Sequence, residues 1–156
     1  MDLPFLRPLS PELLAAQGVP GAFRYGLADR VRFQEVDALL HANNVAYVAW
    51  FETLRTRYLR DTGILDCFDG FPAFVVAEQT VRYRAPLLLD QPYVAAGRTV
   101  RVGRSSFSQE YVLMAEGRLC AEGSAQMVYL DPQSGKGRPL PEAARRIFIE
   151  RDGAEG

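Results

Sequence analysis

The chain has 156 residues, of which 48% are hydrophobic and 24% are charged, values typical of one folded domain rather than of a disordered chain. The formal net charge of −1 gives no reason to expect a nucleic-acid partner or an anionic membrane surface. Cys67 and Cys120 fit no metal-ligand spacing, the chain opens without a signal-peptide pattern, and no apolar run approaches the ~20 residues that span a bilayer, so we expect a cytoplasmic protein without a metal.

Residues 1–22 form a proline-rich N-terminal extension ahead of a single domain at residues 23–152. Ser10 precedes Pro11, which is the order of a helix cap followed by proline at the first helical position, and Gly18 is a natural stop. We therefore expect one short helix in an otherwise loosely held segment. Such a segment either covers a neighbouring subunit or is mobile.

A strand and a long helix are predicted next. Residues 23–33 alternate well enough for a strand, with Leu27, Val31 and Phe33 on one face. Residues 44–61 contain no glycine or proline, and their apolar side chains recur every three or four positions, which predicts a helix with one buried face. That face consists of Tyr47, Val48, Phe51, Leu54, Tyr58 and Leu59, widened by Val45 and Trp50.

The rest of the chain is rich in valine, tyrosine and phenylalanine, and turn residues divide it into four strands. The strands are predicted at residues 71–84, 93–102, 107–115 and 119–130. The short gaps between the last three predict hairpins, and therefore antiparallel neighbours. A polar loop and a terminal helix at residues 141–150 follow. One apolar helix combined with a run of antiparallel strands indicates an α+β domain with the sheet packed on the helix.

The only histidine of the chain, His41, lies four positions after Asp37 and just before Asn43 and Asn44, where the long helix is predicted to begin. The free N–H groups at a helix start carry partial positive charge and polarise a carbonyl or bind an oxyanion. A carboxylate beside such a carbonyl can act as nucleophile or as general base toward water, which are the parts needed for acyl transfer or hydrolysis. A structural interpretation stays open, with Asn43 as a helix cap, Asp37 as a turn residue and His41 as a half-buried packing residue.

The stretch containing these residues reads R-V-R-F-Q-E-V-D-A-L-L-H-A-N-N-V-A-Y-V-A-W-F-E-T-L-R. It closely resembles the signature of the 4-hydroxybenzoyl-CoA thioesterase-like family of hotdog-fold acyl-CoA thioesterases, D-x-x-x-H-x-N-N-x-x-Y followed by F-E-x-x-R on the helix. The later segments T-V-R-Y-R-A-P, G-R-S-S-F and V-Y-L-D-P also resemble strands and turns of that family. The resemblance therefore covers about residues 27–150.

The resemblance implies a hotdog fold, in which a long central helix is wrapped by an antiparallel sheet of about five strands and subunits pair so that active sites form between them, as a homodimer or a tetramer. It also implies an acyl-CoA thioesterase in which Asp37 is the nucleophile or general base, the amide near Asn44 polarises the thioester carbonyl, and His41 lines the site. Coenzyme A belongs to the substrate, and no other cofactor is implied. The alternatives are a non-enzymatic protein that binds acyl-CoA or an acyl carrier, and a hydratase of enoyl thioesters, for which no motif is present.

Further substrate contacts are expected from polar and basic residues that suit the phosphates of coenzyme A. These residues are Asn43, Arg84, Arg104, Ser105 and Ser106. Arginines at strand ends are also common as solvated or salt-paired side chains, so a structural alternative stays open for them.

Two positions depart from the family pattern: Leu40 stands where glycine is common, and Ala42 stands where a branched residue is usual. Because leucine disfavours a left-handed backbone, we expect the loop to follow a different path and the Leu40 side chain to narrow the acyl pocket. On the helix, Glu52 and Arg55 are three residues apart and are interpreted as a structural pair, and Tyr47 is interpreted as a core residue.

Overall fold

The structure of the protein, a computed structural model, describes residues 2–156. Over this range the elements are α1 (Pro11–Ala16), β1 (Tyr25–Arg30), α2 (Asn44–Asp61), β2 (Ala73–Tyr83), β3 (Pro92–Val102), β4 (Ser106–Ala115), β5 (Arg118–Leu130) and α3 (Glu142–Asp152), with short 3-10 turns at Phe33–Glu35 and Leu65–Cys67. Across the same residues, no helix has both the length and the apolar character that a membrane crossing requires.

The five strands form one antiparallel sheet in the order β1-β3-β4-β5-β2. Tight turns make β3, β4 and β5 consecutive hairpin neighbours, which confirms the predicted hairpins. Strand β1 adds to the free side of β3 and β2 adds to the free side of β5. The first two strands of the chain are therefore the two edges of the sheet, and the α+β arrangement is the predicted one.

Helix α2 has the predicted limits, residues 44–61, and packs its aromatic face on the sheet. Phe51 stacks on Tyr111 of β4 with ring centroids 5.0 Å apart. This approach depends on Gly123 of β5, where a Cβ atom would lie 2.8 Å from the Phe51 ring. Val45 does not widen the buried face as predicted, since it is 67% exposed. It lies two residues before Tyr47, roughly 200° away around the helix axis.

Strand β1 ends earlier than predicted, at Arg30, where its pairing with Pro92 of β3 ends. The chain then forms the 3-10 turn that contains Phe33, and the Glu35 side chain accepts the Arg32 N–H at its start (2.8 Å). Phe33 is consequently 76% exposed and does not share the buried face of β1. The other strands and α3 begin and end within two residues of the predicted limits.

Residues 2–22 pack against the face of the sheet opposite α2. Helix α1 forms where it was predicted, and the Ser10 hydroxyl caps it. Leu9, Leu14 and Val19 are buried in a second apolar cluster with side chains of β1, β3 and β4, and the Leu9 N–H donates to a carbonyl of β1 (3.0 Å). The expectation of a loosely held segment is therefore wrong, while the domain boundary at residue 23 stays a prediction.

Candidate active site

The start of α2 presents an unused backbone donor. Asn43 caps the helix, since its Oδ1 accepts the Val45 N–H (3.0 Å) and its own N–H donates to the Glu35 carbonyl (2.7 Å). The next residue, Asn44, has no acceptor for its amide N–H among residues 2–156, whereas its carbonyl accepts the Tyr83 hydroxyl (2.9 Å). A free N–H at the positive end of an 18-residue helix is suited to a carbonyl oxygen or an oxyanion.

Asp37 lies in a closed turn that leads into this helix. Its Oδ1 accepts the N–H groups of Leu39 (2.9 Å) and His41 (3.3 Å), and its N–H donates to the His41 carbonyl (2.9 Å). These bonds fix the orientation of the carboxylate, while Oδ2 has no hydrogen-bond partner in the described part of the chain. The side chain is exposed on a single chain. Asp37 thus stabilises the turn, as the structural alternative predicted, and its second carboxylate oxygen is free for chemistry.

Leu40 adopts the left-handed backbone that its side chain disfavours, with φ at 57°. The conformation is held from both sides, because the Leu40 N–H donates to the Asp37 carbonyl (3.0 Å) and the Leu40 carbonyl accepts the Leu89 N–H (3.2 Å). The expectation that leucine diverts this loop is therefore wrong: the loop takes a path open to glycine, at the cost of local strain.

His41 is half-buried beside the segment that precedes β3. It forms an isolated bridge with Leu88, and the following residue, Ala42, donates its N–H to the Leu87 carbonyl (2.7 Å). The imidazole has no hydrogen-bond partner among residues 2–156, so it is free to contact a ligand. Over the same residues, no group of three or more histidine, cysteine, aspartate or glutamate side chains is arranged to hold a metal ion.

Arg84 follows a residue that contacts the helix start, but its guanidinium is paired on the other face of the sheet. It follows β2, whose Tyr83 contacts Asn44, and its Nη2 lies 2.8 Å from Oε2 of Glu122 on the neighbouring strand. Both side chains are partly exposed. In the protein without substrate, Arg84 is therefore a salt-paired surface residue, which is the structural alternative left open for it in the sequence.

The other three predicted substrate residues, Arg104, Ser105 and Ser106, lie at the opposite end of the sheet. They form the turn after β3 and the first residue of β4. The start of β3 lies beside the start of α2, where Tyr93 stacks on Trp50 (4.4 Å), and β3 then runs away from it. One chain by itself brings Asp37, His41, Asn43 and Asn44 to one region. It leaves the Arg84 guanidinium on the other face of the sheet, beside Glu122, and the β3–β4 turn at the other end.

A family model described as the thioesterase-like superfamily matches residues 31–148. The chain belongs to this superfamily. An Escherichia coli O6:H1 relative, acyl-CoA thioester hydrolase YbgC, is 32% identical over 117 residues, which are 73% of this chain and 87% of the relative.

Solved structures of thioesterases also match this chain. A thioesterase-superfamily structure from Jannaschia sp. CCS1 has 35% identity and a TM-score of 0.87, and the match covers 97% of each chain. A thioesterase from Thermus thermophilus, solved with coenzyme A and zinc, has 34% identity and a TM-score of 0.71 over 82% of this chain and 94% of that one. These findings confirm the resemblance, the hotdog fold and the predicted enzyme class, a thioester hydrolase.

The candidate site of this thioesterase-superfamily member is surrounded by exposed apolar side chains. They are Leu39, Leu40, Val45, Tyr83 and Leu88. We call this set the apolar patch. An exposed patch of this kind beside polar functional groups marks a surface that a ligand or another protein covers.

Two residues of this superfamily member, Tyr83 and Glu35, were not predicted as parts of the site region. Tyr83 and Glu35 hold the helix start through the bonds described above, and Glu35 also accepts the Trp50 indole N–H (3.0 Å). The sequence carries no specific signal for Glu35, because Arg32, three residues earlier, is not a usual capping residue. Tyr47 is buried, as predicted, and burial raises the pKa of Tyr47 to about 12, so its hydroxyl stays protonated at neutral pH.

Proposed function

We propose that this protein hydrolyses acyl-CoA thioesters to a free acid and coenzyme A. The observation that carries the proposal is the juxtaposition at the start of α2: an oriented Asp37 carboxylate with a free oxygen, in the turn that leads directly to the unused Asn44 amide. Family membership supports thioester hydrolysis, and the name of the Escherichia coli relative supports acyl-CoA as the class of substrate.

The Asn44 amide polarises the thioester. The carbonyl oxygen of the substrate accepts the Asn44 N–H, and the aligned peptide dipoles of α2 favour the negative charge that develops on this oxygen. One donor of this kind lowers an acyl-transfer barrier by about 3 kcal/mol. His41, half-buried beside the turn, positions the acyl group.

Asp37 supplies the attack on the carbonyl carbon by one of two routes. As a general base it takes a proton from water while the water oxygen bonds to the carbon, and the tetrahedral intermediate then expels the coenzyme A thiolate, which takes up the proton. As a nucleophile its carboxylate forms an anhydride with the acyl group and releases coenzyme A, and water then hydrolyses the anhydride. Either route consumes one water and yields one acid and one thiol.

The active form is a homodimer, or a tetramer built from dimers, that pairs through strand β2. β2 is an 11-residue edge strand with only one neighbour, β5, and most of its residues are exposed. The opposite edge, β1, is instead bridged by Phe5 and Pro8 of the extension. A long uncovered edge with apolar side chains is a template for pairing. Antiparallel pairing about a two-fold axis would also cover the apolar patch.

Such pairing completes the substrate site. A two-fold axis across β2 reverses the strand direction, so the Ala73 end of one β2 lies beside the Tyr83 end of the other. The β3–β4 turn of the partner then lies on the same side as the Asp37 turn. We propose that the partner's Arg104, Ser105 and Ser106 bind the phosphates of coenzyme A, together with Asn43 of the first chain. Arg84 would join them only by leaving Glu122. The cytoplasmic location stays a prediction.

Asp37→Asn tests the proposal. The amide oxygen of asparagine keeps the two acceptor bonds from Leu39 and His41, so the turn is expected to form, but the side chain is neither a base nor a nucleophile. We expect kcat for an acyl-CoA to fall at least about 100-fold, with little change in the thermal unfolding temperature. Thiol release, followed with a colorimetric reagent over acyl-CoA substrates of several chain lengths, measures the effect.

The matched control is Glu12→Gln, which removes a charge from an exposed carboxylate on α1, on the face of the sheet opposite α2. It is expected to leave turnover unchanged. Undiminished hydrolysis by Asp37→Asn would refute the assignment of Asp37. Saturable binding of acyl-CoA without thiol release by the wild-type protein would refute the proposed activity.

A further inference from the structure

A buried cation on α2 lacks a full counterion. Arg55 is 4% exposed, and its Nη1 donates to the Tyr111 hydroxyl (3.2 Å), a neutral partner. The nearest carboxylate, Glu52, lies 4.0 Å from Nη2 and has a side chain that is 70% exposed. An ion pair at that distance with a solvated partner is weak, whereas a buried charge is costly unless it is well paired. The predicted Glu52–Arg55 pair is present, but it neutralises Arg55 poorly.

The Arg55 side chain lines a cavity of about 210 Å³ between α2, the 3-10 turn at Leu65–Cys67 and the start of β2. The walls are mostly hydrocarbon, contributed by Leu59, Leu65, Phe71, Phe74, Val76 and Met127. Arg55 is the only cationic residue in this lining, and Glu52 and Thr56 are the other polar residues. Because Glu52 is largely exposed, its carboxylate can turn to solvent, and the apolar walls with one guanidinium then suit a single anionic group carried on a hydrocarbon chain. The cavity suits the multiply charged, strongly hydrated phosphates of a nucleotide poorly.

The position of the cavity relates it to the acyl end of the substrate. Arg55 lies eleven residues after Asn44, which is about 16 Å along the helix at 1.5 Å per residue. The cavity borders the Ala73 end of β2 through Phe74 and Val76. With β2 strands paired about a two-fold axis, the cavity of one subunit therefore lies toward the Tyr83 end of the other, beside that subunit's Asp37 turn and apolar patch.

We propose that Arg55 selects acyl groups that end in a carboxylate, so that the preferred substrates are coenzyme A monothioesters of dicarboxylic acids. This inference rests on the proposed function and deepens it by naming the class of acyl group. The terminal carboxylate takes the fork of Nε and Nη2 that Tyr111 leaves free, and it displaces the weakly held Glu52 toward solvent. Arg55 acts on specificity and takes no part in the proton transfers.

The test compares two substrates of equal chain length, adipyl-CoA and hexanoyl-CoA, which differ by the terminal carboxylate. We expect wild-type kcat/KM to favour adipyl-CoA at least about tenfold, the effect of one charge-assisted contact. Arg55→Met, which keeps the length and removes the charge, is expected to abolish or reverse that ratio. Glu52→Gln removes the competing carboxylate and is expected to maintain or increase the preference for adipyl-CoA. A ratio of the two substrates is unaffected by a loss of correctly folded enzyme.

Several outcomes would overturn the inference. A ratio near one between the wild-type kcat/KM values for adipyl-CoA and hexanoyl-CoA is the first. This measurement needs no variant, so it decides the matter even if Arg55→Met fails to fold. An equal loss on both substrates in Arg55→Met would make Arg55 structural only. A raised KM for both substrates together with weaker inhibition by free coenzyme A would assign Arg55 to the phosphates instead. If the wild type cleaves adipyl-CoA and hexanoyl-CoA equally well, only the Arg55 inference fails. If it cleaves neither of them and no other acyl-CoA of the chain-length series, the proposed function fails as well.

Discussion

Leu40 shows how a single residue accepts strain when its neighbours hold it. A leucine at a φ of 57° brings its Cβ close to its own backbone carbonyl, yet the hydrogen bonds to Asp37 and Leu89 keep the loop in that conformation. The exposed side chain also belongs to the apolar patch beside the candidate site. The same leucine therefore affects both the stability of the loop and the shape of the substrate surface.

We expect Leu40→Gly to be more stable than Leu40→Ala by about 1 kcal/mol, because only glycine adopts the left-handed conformation without a Cβ penalty. Both variants remove the leucine side chain, so the alanine variant isolates the backbone effect. Urea unfolding followed by circular dichroism measures the difference. An alanine variant as stable as the glycine variant would show that the loop is not strained in solution.

Asp61, the last residue of α2, links the helix to β1. Its Oδ2 accepts the Tyr25 hydroxyl (2.7 Å), and its Oδ1 accepts the Arg60 Nε–H (3.0 Å). Burial opposes ionisation of Asp61, but these bonds and the charges of Arg60 and Arg57 outweigh it, so the pKa of Asp61 lies below its ordinary value. The resulting stabilisation is fully present above the ordinary pKa of about 3.9 and is lost as the pH falls through the lowered pKa.

Asp61→Asn is therefore expected to reduce the free energy of unfolding by about 1 kcal/mol at pH 7, with a difference from wild type that shrinks below about pH 4. Denaturant titrations at pH 7, 5 and 3 measure the difference. Tyr25→Phe, which removes one of the donors, serves as a comparison and is expected to show a smaller dependence on pH. A difference that is the same at all three pH values would contradict this role of Asp61.

At the scale of elements, the contact between α2 and the sheet depends on two strand glycines. Gly97 of β3 and Gly123 of β5 lie under Leu54 and Phe51, and a Cβ at either would approach these side chains within about 3 Å. The periodicity of α2 predicted which helix residues are buried. It did not predict which strand positions must lack a side chain, because that depends on where the helix crosses the sheet.

Gly123→Ala is expected to lower the free energy of unfolding by about 1–3 kcal/mol, because the added methyl group would lie 2.8 Å from Phe51 and 3.1 Å from the Thr80 carbonyl. Gly21→Ala is the matched control, since a Cβ there meets no heavy atom within 4 Å, and its effect is expected to stay within about 0.5 kcal/mol. Thermal unfolding of the two variants compares them. Equal stability would show that α2 adjusts its position on the sheet.

At the scale of the whole molecule, the two faces and two edges of the sheet are covered unequally. α2 covers one face, and the N-terminal extension covers much of the other and bridges the β1 edge. The β2 edge, with exposed Val75 and Val76, stays uncovered in one chain. Because the proposed substrate site is completed by a partner that covers this edge, we expect activity to follow the oligomeric state.

Val75→Lys places a charge at the β2 edge and is expected to raise the dimer dissociation constant at least about 100-fold, since pairing would bury an unpaired ammonium group. Thioesterase activity is expected to fall as the dimer dissociates. The control is Ile149→Lys on α3, because Ile149 is 41% exposed and Val75 is 42% exposed. Sedimentation velocity and thiol release at matched concentrations follow both effects. A monomeric Val75→Lys variant with full activity would refute the shared site.

The sequence by itself determined the limits of α2, the β3–β4–β5 hairpins and the cluster of Asp37, His41 and Asn44, because caps, turns and side-chain periodicity are local properties of the chain. Only the tertiary structure decided the packing of the extension, the left-handed Leu40, the distance between the Asp37 turn and Arg104, and the burial of Arg55 in an apolar cavity. Each of these depends on contacts between residues far apart in the sequence, and local patterns carry no information about such contacts.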